Sequence, residues 1–215
     1  MYEDDCKMYE ELEKFLSREK LEPYLKETNN NREKALKLFK YNLEVSSQMY
    51  KALQIFELAT RNIFNIYLSK RYGFNWINRT EILSGNNNKN CKLNEDIMRV
   101  KNKFIEDNKK FNNNDIISSL TMGFWVNLLS FDNNDKLWQP TLKKIFTGYE
   151  RSIIHDIFIG IKEIRNRIAH QETIFNKDIN KIYNDICFIL KIYSNDLYKW
   201  FGCECDIKIP QEFND

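Results

Sequence analysis

The stretch ALQIFELATRNIFNIYLS, residues 52–69, holds the clearest sign of the fold. Apolar side chains recur along it at alternating steps of three and four, the spacing of one buried face of an α-helix. The stripe begins just before this stretch and consists of Met49, Leu53, Phe56, Thr60, Ile63 and Tyr67. Glu57 and Arg61 are the only charged residues between positions 52 and 69. We therefore predict a long helix over residues 32–71 that is covered by protein on most sides.

The same helical spacing returns along the rest of the chain. It predicts a first helix over residues 7–26, ending near the asparagines at 29–31, and a stop at Gly73. Further helices are predicted for the run that Asp115 caps, IISSLTMGFWVNLLSF, for a short element that Pro140 opens, for residues 154–168 and for residues 178–201. The Asn- and Lys-rich segment 85–114 reads as solvated loops around a short amphipathic helix.

The composition agrees with a helical chain. Glycine (6) and proline (3) are scarce, and the terminal DIKIP is the longest alternating pattern, so a turn-rich β-protein is disfavoured. We expect an all-α bundle of long antiparallel helices in one domain, residues 1–215. A helical extension over about residues 1–31 precedes the bundle, and a tail over about residues 202–215 follows it.

Charge and cysteine content exclude several classes of protein. The net charge is only +2, so any site for a polyanion has to be local. No apolar run is long enough to cross a membrane, and the acidic N-terminus lacks the pattern of a signal peptide. The five cysteines are Cys6, Cys91, Cys187, Cys203 and Cys205. We interpret them as reduced cytoplasmic thiols, with a metal half-site at the C-x-C pair as the alternative.

The charged pair in the long helix has two interpretations. Glu57 and Arg61 are four residues apart, so they lie on one face and can form an ion pair. Because charges in an apolar surrounding need partners, the pair would be a structural device that fixes the helix. Alternatively, Glu57 orients a cation or a histidine in a site, with Arg61 and Asn62 beside it.

A second concentration of polar residues lies in KEIRNRIAHQETIF, residues 162–175. Arg165 and His170 form an R-x4-H pair, and Asn166 is four residues before the histidine. Five residues of helix turn the chain by about 140°, so the pair would share a face only if the helix ended near Ala169 or a second chain completed the site. A lone histidine near a helix end is otherwise most often a cap or a surface group.

These residue types suit RNA cleavage without a metal. Arginine binds phosphate through a planar fork of donors, and histidine transfers protons near neutral pH. The attack of a 2′-hydroxyl on its own phosphate needs both. His155, the other histidine, is about 22 Å away along a helix, so a homodimer would have to supply the second proton carrier. No cluster of Asp, Glu and His has metal-ligand spacing, so we expect no metal and no other cofactor.

Four segments together resemble a known family. RNRIAHQETIF (165–175) resembles the signature of the Abi-like proteins of bacterial abortive infection, which belong to the HEPN superfamily. The segments 35–73, with ELATRN at its centre, 115–130, with MGFWVNLLS, and 137–146 (LWQPTLKKIF) resemble further family elements in the same order. The resemblance covers roughly residues 10–200.

The resemblance implies an HEPN-like helical bundle and a set of roles. Arg165, His170 and Asn166 match the catalytic positions, and Glu57, Arg61 and Asn62 match a supporting Glu-x3-Arg-Asn element beside the histidine. Some HEPN toxins carry a modifiable tyrosine two residues after the histidine, where this chain has Glu172. Independently of the resemblance, segment 122–129 is interpreted as core, because its apolar stripe is helical and uncharged.

Three functions follow in order of preference. The first is a metal-independent endoribonuclease of phage defence or toxin type, in which Arg167 and Lys162 contact the RNA backbone. Its partners would be an RNA substrate, a second copy of the chain and, for a toxin, an antitoxin, in the cytoplasm and without a membrane. The second is a non-catalytic module that binds RNA or a partner. The third is a helical interaction protein in which RNRIAH only caps and pairs.

Overall fold

The computed structural model describes residues 2–84 and 92–202, with side chains from residue 8 onward. These ranges contain ten α-helices and no β-strand, which confirms the all-α prediction. The helices are α1 (Tyr2–Leu16), α2 (Arg18–Glu27), α3 (Arg32–Tyr72), α4 (Thr80–Leu83), α5 (Lys92–Glu106), α6 (Asn113–Ser119), α7 (Met122–Asn127), α8 (Arg151–Ala169), α9 (Ile179–Tyr193) and α10 (Asn195–Phe201). Short 3-10 or π turns lie at Trp76–Asn78, Phe131–Asn133, Asn134–Trp138 and Leu142–Lys144.

Helix α3 is the central element and has the predicted ends. It contacts α1, α2, α8 and α9. Asn31 caps its N-terminus by accepting a hydrogen bond from the Lys34 amide, and Gly73, at φ 85°, ends it. Asn29 and Asn30 precede the cap in the left-handed conformation that asparagine tolerates. The asparagine run therefore separates α2 from α3 as the sequence predicts.

Contacts between side chains fix the direction of the two helices that matter for the site. Glu57 of α3 bonds Arg165 of α8, and further along α3 the ring of Phe64 stacks on Phe158, with ring centroids 5.9 Å apart. Residue numbers rise along α3 while they fall along α8, so the two helices are antiparallel. Helix α9 packs against both α3 and α8.

The hydrophobic core lies where α3, α7, α8 and α9 meet. Its largest buried members are aromatic, and several pack edge to face or stacked, which adds to the stabilisation from burial alone. They include Phe56, Phe64, Trp125, Trp138, Phe146 and Phe158. Tyr193 of α9 reaches the same core, where its hydroxyl is 3.0 Å from the hydroxyl of Thr60.

Three predicted continuous helices are interrupted in the structure. The predicted helix 7–26 is divided at Ser17, whose φ of 66° cannot continue a right-handed helix. The run after Asp115 is divided because Leu120 and Thr121 are both extended. The helix predicted over residues 178–201 is divided at Ser194, which is extended and caps α10 by accepting a hydrogen bond from the Leu197 amide.

Two predicted helix starts also differ in detail. Asn112, not Asp115, is the N-cap of α6; the Asp115 carboxylate closes the capping box by accepting the Asn112 amide. Pro140 opens no α-helix, and the chain instead makes one 3-10 turn at Leu142–Lys144. Helix α5 confirms the amphipathic helix predicted inside segment 85–114, whereas most of the predicted tail and the terminal DIKIP lie outside the described residues.

Candidate functional site

Arg165 and Glu57 join α8 to α3. Arg165 follows the buried Ile164 on α8, and its guanidinium reaches the facing helix α3. Its Nε donates to Oε1 of Glu57 at 2.7 Å, and 36% of the Arg165 side chain and 32% of the Glu57 side chain remain exposed. The pair is therefore half-buried and lies at the edge of the core.

This pairing corrects the prediction of an ion pair between Glu57 and Arg61. The two residues share a face of α3, but Glu57 bonds the arginine of the antiparallel helix instead. Arg61 donates from Nη1 to the Ser118 carbonyl of α6 at 3.3 Å. Local spacing identified the polar face correctly and the partner wrongly, because the partner comes from a different helix.

A surface cavity of about 520 Å³ opens beside this pair, between α3, α6, α7 and α8. Its walls carry two guanidinium groups, from Arg61 and Arg165, and one carboxylate, from Glu57. Apolar and neutral side chains complete the lining, namely Tyr50, Leu53, Gln54, Leu58, Ser118, Leu120, Trp125 and Ala169. The surplus of positive charge favours an anionic ligand. Trp125 is 2% exposed, in agreement with the prediction that segment 122–129 is core.

Helix α8 ends next to His170, as one of the two alternatives from the sequence requires. Helix α8 ends at Ala169, and His170 is its C-cap, with φ −94° and ψ 8°. Its amide donates to the Asn166 carbonyl at 2.9 Å, and its residue surface is exposed. His170 is therefore the first residue beyond α8, and it is not one of the residues that line the cavity. Ala169, directly before it, lines the cavity.

The remaining predicted site residues differ in how they are placed. Asn62 and Asn166 are exposed, and Lys162 is half-buried. Arg167 donates from Nη1 to the Thr173 carbonyl at 3.2 Å and lies 3.5 Å from Oε2 of Glu172. Its guanidinium therefore stabilises the chain after α8, and its predicted contact with RNA remains a prediction.

His155 is remote from this constellation on the same helix. It lies fifteen residues before His170, about 22 Å along the axis. Burial, and next the neighbouring Arg151 cation, lower the pKa of the His155 imidazole, against the opposing effect of Asp156. A neutral, half-buried imidazole at this distance takes no part in the cavity.

The sequence analysis missed two groups of residues, one that lines the cavity and one that holds the chain after α8. Tyr50 and Gln54 lie seven and three residues before Glu57, so the helical period alone could have placed them on the same wall. Ser118 contributes a backbone carbonyl, which carries no sequence signal. Lys20 and Asn42, which bond the chain just after α8, were also missed, because their partners are backbone atoms more than a hundred residues away.

Metal and membrane features can be judged for the described ranges. In residues 8–84 and 92–202 no three His, Cys, Asp or Glu side chains are grouped as a metal site. None of the helices in the same ranges combines the length and apolar character of a membrane span. Cys187 is buried. The side chains of the other four cysteines, including the C-x-C pair, lie outside the described residues.

Comparison with known proteins adds one finding. A family model described as Abi-like protein matches residues 7–176, which include α3, the cavity, α8 and His170. No curated relative and no solved structure matches the chain.

Proposed function

Since the chain belongs to the Abi-like protein family, we propose that it is a metal-independent endoribonuclease of phage defence by abortive infection, of the HEPN type. The observation that carries the proposal is the place of Arg165: it bonds Glu57 through Nε and lines a cavity that also holds Arg61. Arg165 of the R-x4-H pair thus lines a cationic surface cavity, and His170 follows Ala169 at the end of α8. A chain that only needed an ion pair between helices would require no such cavity.

Arg165 is proposed to hold the scissile phosphate. A guanidinium has five N–H donors in a fixed fork, and Glu57 uses only the one on Nε. The Nη donors are bonded to no other described residue and can bind two phosphate oxygens. They stabilise the negative charge that builds on those oxygens as the phosphate becomes five-coordinate. Arg61 adds a second positive charge on the same wall.

His170 is proposed to transfer the proton. The 2′-hydroxyl oxygen attacks phosphorus and loses its proton to a base, while the bond from phosphorus to the 5′-oxygen breaks and that oxygen gains a proton. The products are a 2′,3′-cyclic phosphate and a 5′-hydroxyl end. The other histidine of the chain, His155, is remote from the cavity, so the second proton carrier is proposed to be His170 of a second copy in a homodimer. Asn166 is proposed to orient the bound RNA, and Asn62 to support the site.

The biological setting follows from the family. An abortive-infection nuclease acts on RNA inside the infected cell, so the cytoplasm is the proposed location. In a toxin version of this role, an antitoxin would restrain the enzyme. The proposed contacts to the RNA backbone are Arg167 and the half-buried Lys162 of α8.

The test compares matched histidine variants. Purified protein is incubated with mixed-sequence RNA in EDTA, and cleavage by wild type, His170→Ala and His155→Ala is followed. We expect His170→Ala to reduce the rate roughly 10²- to 10⁴-fold and His155→Ala to cleave like wild type, since it lies far from the cavity. Equal cleavage by wild type and His170→Ala would overturn the assignment.

A non-catalytic RNA-binding module is the second candidate, and one observation favours it. No described residue forms a hydrogen bond with the His170 imidazole, so its tautomer is not fixed within one chain. Such a module predicts binding without any cleaved product, and an affinity whose salt dependence falls when Arg165 is replaced by Ala. Binding by wild type with no product from any tested RNA would favour this candidate.

A further inference from the structure

The chain that follows α8, residues 170–175, has an unusual start. We refer to it as the His170 loop. Gln171, next to the histidine, has φ 55°, a left-handed conformation that is unfavourable for a residue with a Cβ. Two backbone hydrogen bonds close this helix end, from the Gln171 amide to the Ile168 carbonyl at 3.1 Å and from the Glu172 amide to the Arg167 carbonyl at 2.7 Å. The direction of the His170 side chain depends on these bonds and on whatever binds the carbonyls of residues 170 and 171.

Lys20 of α2 holds both of these residues. Its Nζ donates to the His170 carbonyl at 3.0 Å and to the Gln171 carbonyl at 3.3 Å, across 150 residues of sequence. The carbonyls at the end of a helix lack partners within the helix and carry its partial negative charge, so an ammonium group is well suited to them. One cation thus fixes two successive peptide groups of the turn.

A second anchor holds the far end of the loop. Asn42 of α3 is 4% exposed, and its Oδ1 accepts the amides of Ile174 at 2.8 Å and Phe175 at 3.1 Å. The Tyr24 hydroxyl hydrogen-bonds Asn42 in turn, and burial raises the pKa of Tyr24 to about 12. Tyr24 lies four residues after Lys20, so both face the loop from one side of α2.

We propose that Lys20 is a positioning residue for the His170 imidazole, and that α2 is thereby a part of the RNA-cleaving site. The proposal rests on the proposed ribonuclease function. Asn42 and Arg167 fix the loop from residue 173 onward, whereas Lys20 alone among these side chains bonds residues 170 and 171. Without the ammonium the backbone hydrogen bonds of the turn remain, but the carbonyls of His170 and Gln171 lose the cation that ties them to α2, and the ring direction of His170 changes with them.

The kinetic test uses three lysine variants. Lys20→Met keeps the aliphatic stem and removes the ammonium, and Lys20→Arg restores a cation able to donate to two carbonyls. Lys26→Met is the matched control, because Lys26 lies on the same helix and pairs only with Glu22. We expect Lys20→Met to lower kcat roughly ten- to a hundredfold with little change in KM, Lys20→Arg to recover most of it, and Lys26→Met to match wild type.

A spectroscopic measurement separates this proposal from the proposed function. The chain has only two histidines, so an imidazole ¹H–¹⁵N spectrum resolves each ring. In Lys20→Met the His170 signals should shift while those of His155 stay, and in Lys26→Met neither should move. Cleavage by wild type with an unchanged kcat or unchanged His170 signals in Lys20→Met would overturn the positioning role alone. Absence of cleavage by wild type would overturn the proposed function. If the His170 signals of Lys20→Met were also unchanged, the effect of Lys20 on the His170 ring would be refuted as well.

Discussion

Arg165 of α8 donates from Nε to Oε1 of Glu57 on α3 at 2.7 Å, although the two residues are 108 positions apart in the chain. This bond orients the arginine with one donor and leaves the Nη donors for a ligand. It also joins the segment ELATRN of α3, residues 57–62, to the R-x4-H pair at the end of α8. Glu57 therefore supports the arginine directly, rather than the histidine as the resemblance implied.

Replacing Glu57 with Gln tests this role. The amide oxygen still accepts the Arg165 Nε–H but lacks the charge that holds the guanidinium in place. We expect kcat to fall on the order of tenfold, while the free energy of unfolding changes by less than about 1 kcal/mol because the pair is partly exposed. RNA cleavage kinetics and urea unfolding measure the two effects.

The control for this variant is Glu163→Gln, which removes an exposed carboxylate from α8. It should leave both quantities as in wild type. A Glu57→Gln protein with wild-type kcat would mean that the carboxylate has no part in orienting Arg165.

Asn42→Leu should destabilise the protein through the His170 loop. The substitution leaves the amides of Ile174 and Phe175 without their acceptor in a buried place. We expect a loss on the order of 2–4 kcal/mol in the free energy of unfolding, measured by urea denaturation. Asn102→Leu, at an exposed position of α5, should change it little. Equal stability of the two variants would contradict the role given to Asn42.

Stability should depend on pH through His155. Burial lowers the pKa of its imidazole in the fold, so below the ordinary value, about 6.5, the unfolded chain binds the proton more readily than the folded chain. The resulting destabilisation of the fold is absent at neutral pH and grows as the pH falls. Wild type should therefore lose more of its Tm than His155→Gln between about pH 7.5 and about pH 5.5. An identical loss in both proteins would contradict the lowered pKa.

A mixing experiment tests the proposed homodimer. If each site needs His170 from both copies, a dimer of one wild-type and one His170→Ala chain is inactive. Refolding wild type with an equal amount of the variant should then leave about half of the wild-type activity, as random pairing into two-fold dimers requires. Mixing with His155→Ala should cost no activity. Full activity in the first mixture would show that each chain acts alone.

The helices could be predicted where their signal is local. The stripe from Met49 to Tyr67 repeats with the helical period, and Asn31 and Gly73 bound the helix as their conformational preferences dictate. The break at Ser17 could not be predicted, because it depends on the positive φ of one serine between Leu16 and Arg18. The break at Ser194 had a local signal that was overlooked, since Ser194, Asn195 and Asp196 all favour turns and helix N-caps.

The candidate site was predictable in its residues but not in its bonds. Residue type and the family resemblance single out Arg165, His170 and Glu57 as candidates, whereas the bond between Glu57 and Arg165 depends on two helices packing antiparallel. Lys20 carried no sequence signal, because it binds backbone carbonyls that any residue supplies. Tertiary packing decides such contacts, and periodicity does not encode them.

The most direct test of the ribonuclease proposal is the chemistry of its product. A short RNA that wild type cleaves in EDTA is compared with the same RNA carrying a 2′-deoxy nucleotide at the cleavage site. The account predicts 2′,3′-cyclic phosphate ends from the first RNA, no cleavage at that site in the second, and no product from either with His170→Ala. Cleavage of the deoxy-substituted site, or cyclic phosphate ends produced by His170→Ala at the wild-type rate, would contradict it.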